Sequence, residues 1–238
     1  MNLFRRAFSF PGDGRPWRNS LQWWLLAAIL LAALYAIGAA ILVGRKLPPL
    51  MLDAFCQISV LAAMLGMFRA LPPEASLADK LGICRLRKKD LLLVVAMLPF
   101  IYLWELASTA LWERLLHAFS IEYRENQALL EWCASGSWRR FVFMLTTIGV
   151  MTPAAEEILF RRVLYGLLRP LGIWAALLSA SLIFAAVHLF LHGFPALFGI
   201  GAIFQYIYLR SGNLAASVLA HALFNCIALT MVFFFGVQ

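Results

Sequence analysis

Residues 154–166 read AAEEILFRRVLYG and place two adjacent acids and two adjacent arginines in an otherwise apolar run. The segment around them, about Arg140 to Arg169, is long enough to cross a bilayer as a helix, which takes about 20 residues. A charged side chain in the bilayer interior costs several kcal/mol. Ionisable residues in this position are therefore functional candidates, and the interpretation of the whole chain depends on them.

The chain has the composition of an integral membrane protein. Of its 238 residues, 63% are hydrophobic and 13% are charged, whereas a soluble domain is about half apolar and about a quarter charged. The mean hydropathy is +0.83. The net charge of +8 indicates basic loops and contact with membrane lipids. No pattern typical of nucleic-acid binding is present.

The hydropathy pattern predicts an all-α fold, a polytopic transmembrane bundle of about seven helices, within a range of six to eight. Residues 1–140 are expected to form an N-terminal tail and about three helices, and residues 141–238 a catalytic core of about four. The predicted spans are Leu21–Val43, Leu50–Phe68, Leu91–Leu111, Arg140–Arg169, Ile173–Leu191, Phe194–Leu209 and Leu214–Phe235. Basic residues in the tail and in the Arg69–Asp90 loop predict a cytoplasmic N-terminus. If the source is bacterial, the expected membrane is the plasma (inner) membrane.

Helix geometry separates the four charges of the quoted stretch. Glu157 and Arg161 are four residues apart and can form an ion pair on one face. Glu156 points about 100° away and has no partner in its own helix, which leaves it free for acid–base chemistry. Arg162 is expected to lie nearer a membrane interface. Pro153 frees the carbonyl of Gly149, and a local opening of the helix there could admit water.

Two further pairs of residues repeat the four-residue spacing inside predicted spans. Phe184 and His188 occur in LIFAAVHLF, and His221 and Asn225 in LAHALFNC. Two histidines, an amide and an unpaired carboxylate can together activate water and stabilise an oxyanion. The residues alone also leave open a structural charge cluster that holds helices together.

A metal site is the other chemistry that these residues allow. Glu156, His188 and His221 could bind zinc, because histidine and carboxylate ligands suit this ion. His188 and His192 have the spacing of the two histidines of an HExxH zinc site, but the sequence contains no HExxH. His192 precedes a glycine and is expected in a loop at the end of its helix.

The three motifs in chain order are EExxxR (Glu156, Glu157, Arg161), FxxxH (Phe184, His188) and HxxxN (His221, Asn225). This set resembles the CAAX-protease and bacteriocin-processing family of intramembrane proteases, over about residues 141–235. The resemblance implies an endopeptidase in which Glu156 and His188 activate water while His221 and Asn225 support the oxyanion. It implies that Glu157, Arg161 and Phe184 shape the site, and it leaves open a glutamate-type or a zinc-dependent enzyme.

The expected partners are membrane lipids and a membrane-associated or lipidated peptide or protein substrate. Two alternatives remain at this point. One is a non-catalytic immunity or regulatory protein on the same scaffold. The other is a proton-coupled carrier in which buried acids and histidines relay protons, although the sequence lacks the internal repeat common in carriers.

Overall fold

The computed structural model describes residues 76–123 and 137–236, together with the isolated positions Ile41 and Ala62. Within these ranges every regular element is helical. The helices are α1 (Leu77–Leu81), α2 (Lys88–Ala118), α3 (residues 138–168), α4 (Ile173–Val187), α5 (Phe194–Ser211) and α6 (Leu214–Phe235).

Three of these segments are long and apolar enough to cross a membrane, namely α2, Trp138–Leu164 within α3, and α6. The all-α fold and the membrane character are therefore confirmed for the described part of the chain. The count of seven helices is not confirmed. The predicted spans Leu21–Val43 and Leu50–Phe68 lie outside the described residues, and the division of the chain at residue 140 stays a prediction.

Two predicted helix ends are wrong, one because of a tertiary contact and the other because of a local bond. Helix α2 continues to Ala118 instead of Leu111, since Trp112 and Glu113 in its last turns are bound by the segment after α4. Helix α4 ends at Val187 instead of Leu191. There the imidazole of the capping residue His188 bonds to the helix's own carbonyl at Phe184, and Leu189 takes a left-handed conformation with φ 51°.

Helix α3 contains two wider π-helical turns, Thr147–Met151 and Ile158–Leu164. The first ends just before Pro153, which has no N–H to donate and cannot continue the regular ladder. Because Pro153 cannot donate to them, the carbonyls of Ile148 and Gly149 are left without this backbone partner, and both face α6. Ile148 O accepts from Asn225 Nδ2 at 2.9 Å, and Gly149 O lies 3.6 Å from Cys226 Sγ. The carbonyl freed at Pro153 is thus met by a side chain of α6.

Helix α5 lies between two apolar clusters and holds the other helices around it. One cluster joins α2, α5 and α6, and the other joins α3, α4 and α5. The buried residues of the first are Val94, Ile101, Ile200, Phe204, Ile207, Ala216 and Ala220, and those of the second are Tyr165, Ala176, Leu177, Ala180 and Leu209. This packing brings the polar faces of α3, α4 and α6 to a common interior.

The turn between α5 and α6 is fixed by the buried side chain of Asn213. Its Oδ1 caps α6 by accepting from Ala215 N at 3.1 Å and also accepts from Cys84 N. Its Nδ2 donates to Cys84 O, and Leu214 N donates to Gly82 O. These bonds set the start of α6, and with it the height of His221, which lies two turns further along.

Candidate active site

Glu156, His188 and His221 meet where α3, α4 and α6 come together. Glu156 Oε1 lies 3.8 Å from His188 Nε2, and Glu156 Oε2 lies 3.8 Å from His221 Nε2. The side chain of Glu156 is 15% exposed, that of His188 29% and that of His221 6%. The carboxylate therefore lies between two imidazoles, and the site opens on the side of His188.

The second carboxylate, Glu157, is fully buried and supports His221 from behind. It accepts from four donors, Arg161 Nε at 3.0 Å, Arg161 Nη2 at 3.3 Å, His221 Nδ1 at 3.1 Å and Ser217 Oγ. An ionised carboxylate has about four acceptor positions. The expected ion pair with Arg161 is present. The bonds to α6 are additional, because they depend on how α6 packs against α3.

The partners of the two histidines assign their tautomers. His221 Nδ1 faces the ionised Glu157, and His188 Nδ1 lies 2.6 Å from the carbonyl oxygen of Phe184. Both partners can only accept, so each Nδ1 carries a proton. In the neutral rings the two Nε2 atoms are then bare acceptors directed at Glu156. Three acceptors around one small space favour a hydrogen-bond donor between them, and water is such a donor.

Aromatic rings enclose the buried side of the site. The guanidinium carbon of Arg161 lies 5.0 Å from the centre of the Phe184 ring and 6.0 Å from that of Phe204. The Phe184 ring lies 4.6 Å from the ring of His188, and Phe204 stacks on His221 at 4.5 Å. These contacts exclude water from the Glu157–Arg161 pair. The motif spacing indicated Phe184 but gave no signal for Phe204, which comes from α5.

Asn225 lies one turn beyond His221 on α6. Its Nδ2 donates to Ile148 O in the first π turn of α3, and among the described residues it makes no hydrogen bond to Glu156, His188 or His221. One N–H of the amide is thus engaged. The oxyanion role assigned to Asn225 by resemblance stays a prediction.

His192 and Arg162 lie apart from the Glu156 carboxylate. His192 Nε2 is 2.5 Å from Glu113 Oε1, and its ring stacks on Tyr123 at 4.6 Å, so it does not join His188. That Arg162 lies near a membrane interface stays a prediction; its side chain is buried in the protein, and its Nη1 donates to Tyr208 Oη at 3.3 Å. The cause is packing, since α5 and the turn at Gly82 enclose its guanidinium.

The assignment of Glu156, His188 and His221 as zinc ligands stays a prediction. Within residues 76–123 and 137–236, no group of three or more His, Cys, Asp or Glu side chains could hold a metal ion as placed. The separations of 3.8 Å from Glu156 to each histidine exceed the ~3.3 Å expected between ligands of a tetrahedral zinc ion.

Comparisons with known proteins support the motif-based resemblance. Residues 138–227 match the family model described as type II CAAX prenyl endopeptidase Rce1-like. Over 92 residues the chain is 35% identical to the membrane-embedded CAAX protease MroQ of Staphylococcus aureus (strain USA300). That alignment covers 36% of this chain and 36% of the relative, so the chain matches about a third of the relative's length. No solved structure matches the chain. The matched segment contains all three motifs, which confirms the resemblance.

Proposed function

We propose that this chain, whose residues 138–227 carry the signature of the Rce1-like CAAX endopeptidase family, is an intramembrane endopeptidase. Its substrate would be a membrane-associated or lipidated protein or peptide. The observation that carries the proposal is the position of Glu156, 3.8 Å from both His188 Nε2 and His221 Nε2, on a segment that can span a membrane. The description of the relative as a membrane-embedded CAAX protease supports the same class of reaction.

Glu156 and His188 are the groups that would activate water. A water molecule between them donates one hydrogen bond to a Glu156 oxygen and the other to His188 Nε2. As the water oxygen adds to the substrate carbonyl carbon, its proton passes to Glu156. The carbonyl π electrons move to oxygen and form the oxyanion. Glu156 then gives the proton to the leaving nitrogen as the carbon–nitrogen bond breaks.

His221 and Asn225 are the groups that would stabilise the oxyanion. Since Nδ1 of His221 already donates to Glu157, the ring can donate from Nε2 only as an imidazolium. The buried carboxylate of Glu157 favours that positive charge at short range. The second N–H of Asn225 supplies another donor. Donors held in place before the reaction cost no reorganisation in the transition state.

The test is cleavage of membrane-tethered peptides by the purified full chain in proteoliposomes, followed by mass spectrometry. The peptide set includes farnesylated peptides with a C-terminal CAAX sequence. Glu156→Gln is expected to lower kcat by about 10²–10⁴-fold, the usual contribution of a general base, and His221→Ala is expected to abolish most of the activity. Glu122→Gln, at an exposed acid outside the site, is the control.

If Glu156→Gln keeps full cleavage, the proposed mechanism is wrong. Biological function retained by an inactive Glu156→Gln protein would instead support the regulatory alternative.

A further inference from the structure

Ser217 is a buried polar residue that none of the three motifs contains. It lies on α6 four residues before His221, on the same face of the helix, and it is fully buried. Its Oγ contacts two acceptors from two other helices, Glu157 Oε2 on α3 and the carbonyl oxygen of Phe204 on α5 at 3.0 Å. The hydroxyl thus joins three of the helices that form the site.

One hydroxyl proton cannot serve both acceptors. A hydrogen bond to an ionised carboxylate is about twice as strong as one to a neutral group, so Ser217 donates to Glu157 while that carboxylate is charged. Within its own helix, Glu157 accepts hydrogen bonds from Arg161, which donates two. The longer of these, 3.3 Å, reaches Oε1, the oxygen that faces His221. The shorter, 3.0 Å, reaches Oε2, where Ser217 Oγ is a second donor that comes from α6.

We propose that Ser217 is a positioning residue for His221. By binding Oε2 from the helix that carries His221, beside Arg161 Nε, it holds the Glu157 carboxylate at the rotation that presents Oε1 to His221 Nδ1. The hydroxyl thereby fixes both the direction of the imidazole and its Nδ1–H tautomer. Outer partners of this kind orient a functional histidine and set which of its nitrogens carries the proton. The effect of Ser217 on the rate of cleavage rests on the proposed function, whereas its effect on the tautomer of His221 does not.

Three variants separate the hydroxyl from the volume of the side chain. Ser217→Ala removes the donor, Ser217→Thr keeps it, and Ser217→Cys replaces it with a weak donor. The matched control is Ser181→Ala. Ser181 is also a fully buried serine, but its Oγ donates to Leu177 O within α4 at 2.8 Å.

The first measurement is peptide cleavage by these proteins in proteoliposomes. Ser217→Ala is expected to lower kcat by about 10–100-fold, the usual cost of losing such an outer partner, with little change in KM. Ser217→Thr should restore most of the rate, and Ser181→Ala should leave both constants unchanged. A Ser217→Ala protein with unchanged kcat, or a loss of rate in Ser217→Thr equal to that in Ser217→Ala, overturns the proposal.

The second measurement is the ¹⁵N NMR spectrum of the full chain labelled at its four histidines, with His221→Gln used to assign the resonances of His221. We expect a protonated Nδ1 in the unaltered chain and a shift toward the other tautomer in Ser217→Ala. If Ser217→Ala does not fold, Ser217→Cys must show the same shift. Unchanged His221 resonances refute the proposal even if no peptide is ever cleaved. A changed tautomer in an inactive chain would refute only the proposed function.

Discussion

The two histidines reach the same carboxylate from supports of different kinds. His221 belongs to a buried half of the site, formed by Glu157, Arg161, Ser217 and His221 itself. Its ring is fixed by a charged network and by stacking on Phe204. His188 belongs to an exposed half, formed by His188 and the segment 189–193. Its ring is fixed by one hydrogen bond and one ring contact, both to Phe184 on its own helix, just where that helix ends.

The exposed half depends on hydrogen bonds from the side chains of α2. Trp112 Nε1 donates to Leu191 O at 2.9 Å and Glu113 bonds to His192 within this half, and Trp104 Nε1 donates at 3.2 Å to Pro195 O, just beyond it at the start of α5. All three bonds lie at partly exposed positions. We therefore expect the stability of the fold to depend mainly on the buried half, and access of substrate and water to depend on the exposed half.

Removing Arg161 is the strongest way to break this contrast. Arg161→Met leaves the charge of Glu157 buried without its cation, and the loss of one partner of a buried ion pair costs about 3–5 kcal/mol. We expect the free energy of unfolding in detergent micelles to fall by this amount. No single substitution in the exposed half should come close to it.

The double variant Glu157→Gln/Arg161→Met separates charge from packing. It has no buried charge at this pair, so it should regain about 0.5–3 kcal/mol relative to Arg161→Met, the range of coupling between groups in contact. Its cleavage activity should stay low, since a neutral amide at position 157 cannot favour a positive His221. A double variant as unstable as the single one would show that the guanidinium acts by filling space among the phenylalanine rings.

The close approach of α3 and α6 gives the next largest expected effect. A Cβ built at Gly149 would lie 2.7 Å from Cys226 Sγ, closer than real contacts allow. Gly149→Ala should destabilise the protein by about 1–3 kcal/mol, as overpacking does. Adding Cys226→Ala removes the sulfur and should recover most of the loss. If Gly149→Ala alone is neutral, the two helices are not held at this distance and Asn225 is not fixed against Ile148.

The bonds from α2 should affect activity more than stability. Trp112→Phe and Glu113→Ala each remove one bond to the segment 189–193. Because partly exposed polar pairs contribute about 0–1 kcal/mol, the midpoint of unfolding should change little. Amide hydrogen exchange in 189–193 should become faster, and kcat should fall, by less than the ~100-fold that a 1 Å misplacement can cost.

Trp174→Phe serves as the matched control for Trp112→Phe. Trp174 is 74% exposed and lies on α4, away from this segment's bonds to α2. It should change neither hydrogen exchange nor kcat. A large drop in stability with unchanged exchange in Trp112→Phe would contradict the assignment of these bonds to the exposed half.

Local signals in the sequence were sufficient for some helix ends. The predicted α6, Leu214 to Phe235, matches the observed bounds, because Asn213 caps its start and Gly236 ends it in a left-handed conformation. The ends of α2 and α4 could not be predicted in the same way. The end of α2 is set by its bonds to the segment after α4, and no residue near that end indicates this distant partner. The end of α4 is set by the bond of His188 to Phe184 O and by the left-handed backbone of Leu189, which the hydropathy pattern does not indicate.

The site shows the same division between local and tertiary information. Spacing along one helix was enough to pair Glu157 with Arg161 and to separate Glu156 from both. Ser217 had a usable signal, since it lies four residues before His221 on the same face. The contact of His221 with Glu157, and that of Asn225 with Ile148, depend on how α6 packs on the π turns of α3, which no local pattern predicts.

The smallest expected effect lies at the residue after His188. Leu189 is 92% exposed and has φ 51°, a conformation that costs a non-glycine residue roughly 1–2 kcal/mol. Leu189→Gly should stabilise the protein by at most about 1 kcal/mol, because glycine loses more chain entropy on folding. Leu191→Gly, on the same segment but without a left-handed backbone, should give no gain.

The sign of the change in activity makes this variant informative. Glycine at 189 relaxes the backbone where the chain leaves α4, so His188 should be held less firmly and kcat should fall while the unfolding midpoint rises. The contrast between the two halves requires that kcat and the unfolding midpoint change in opposite directions. The exposed half positions His188 but contributes little to the stability of the fold. If stability and kcat rise together, strain at Leu189 does not hold His188 in place, and the bonds from α2 alone position this half.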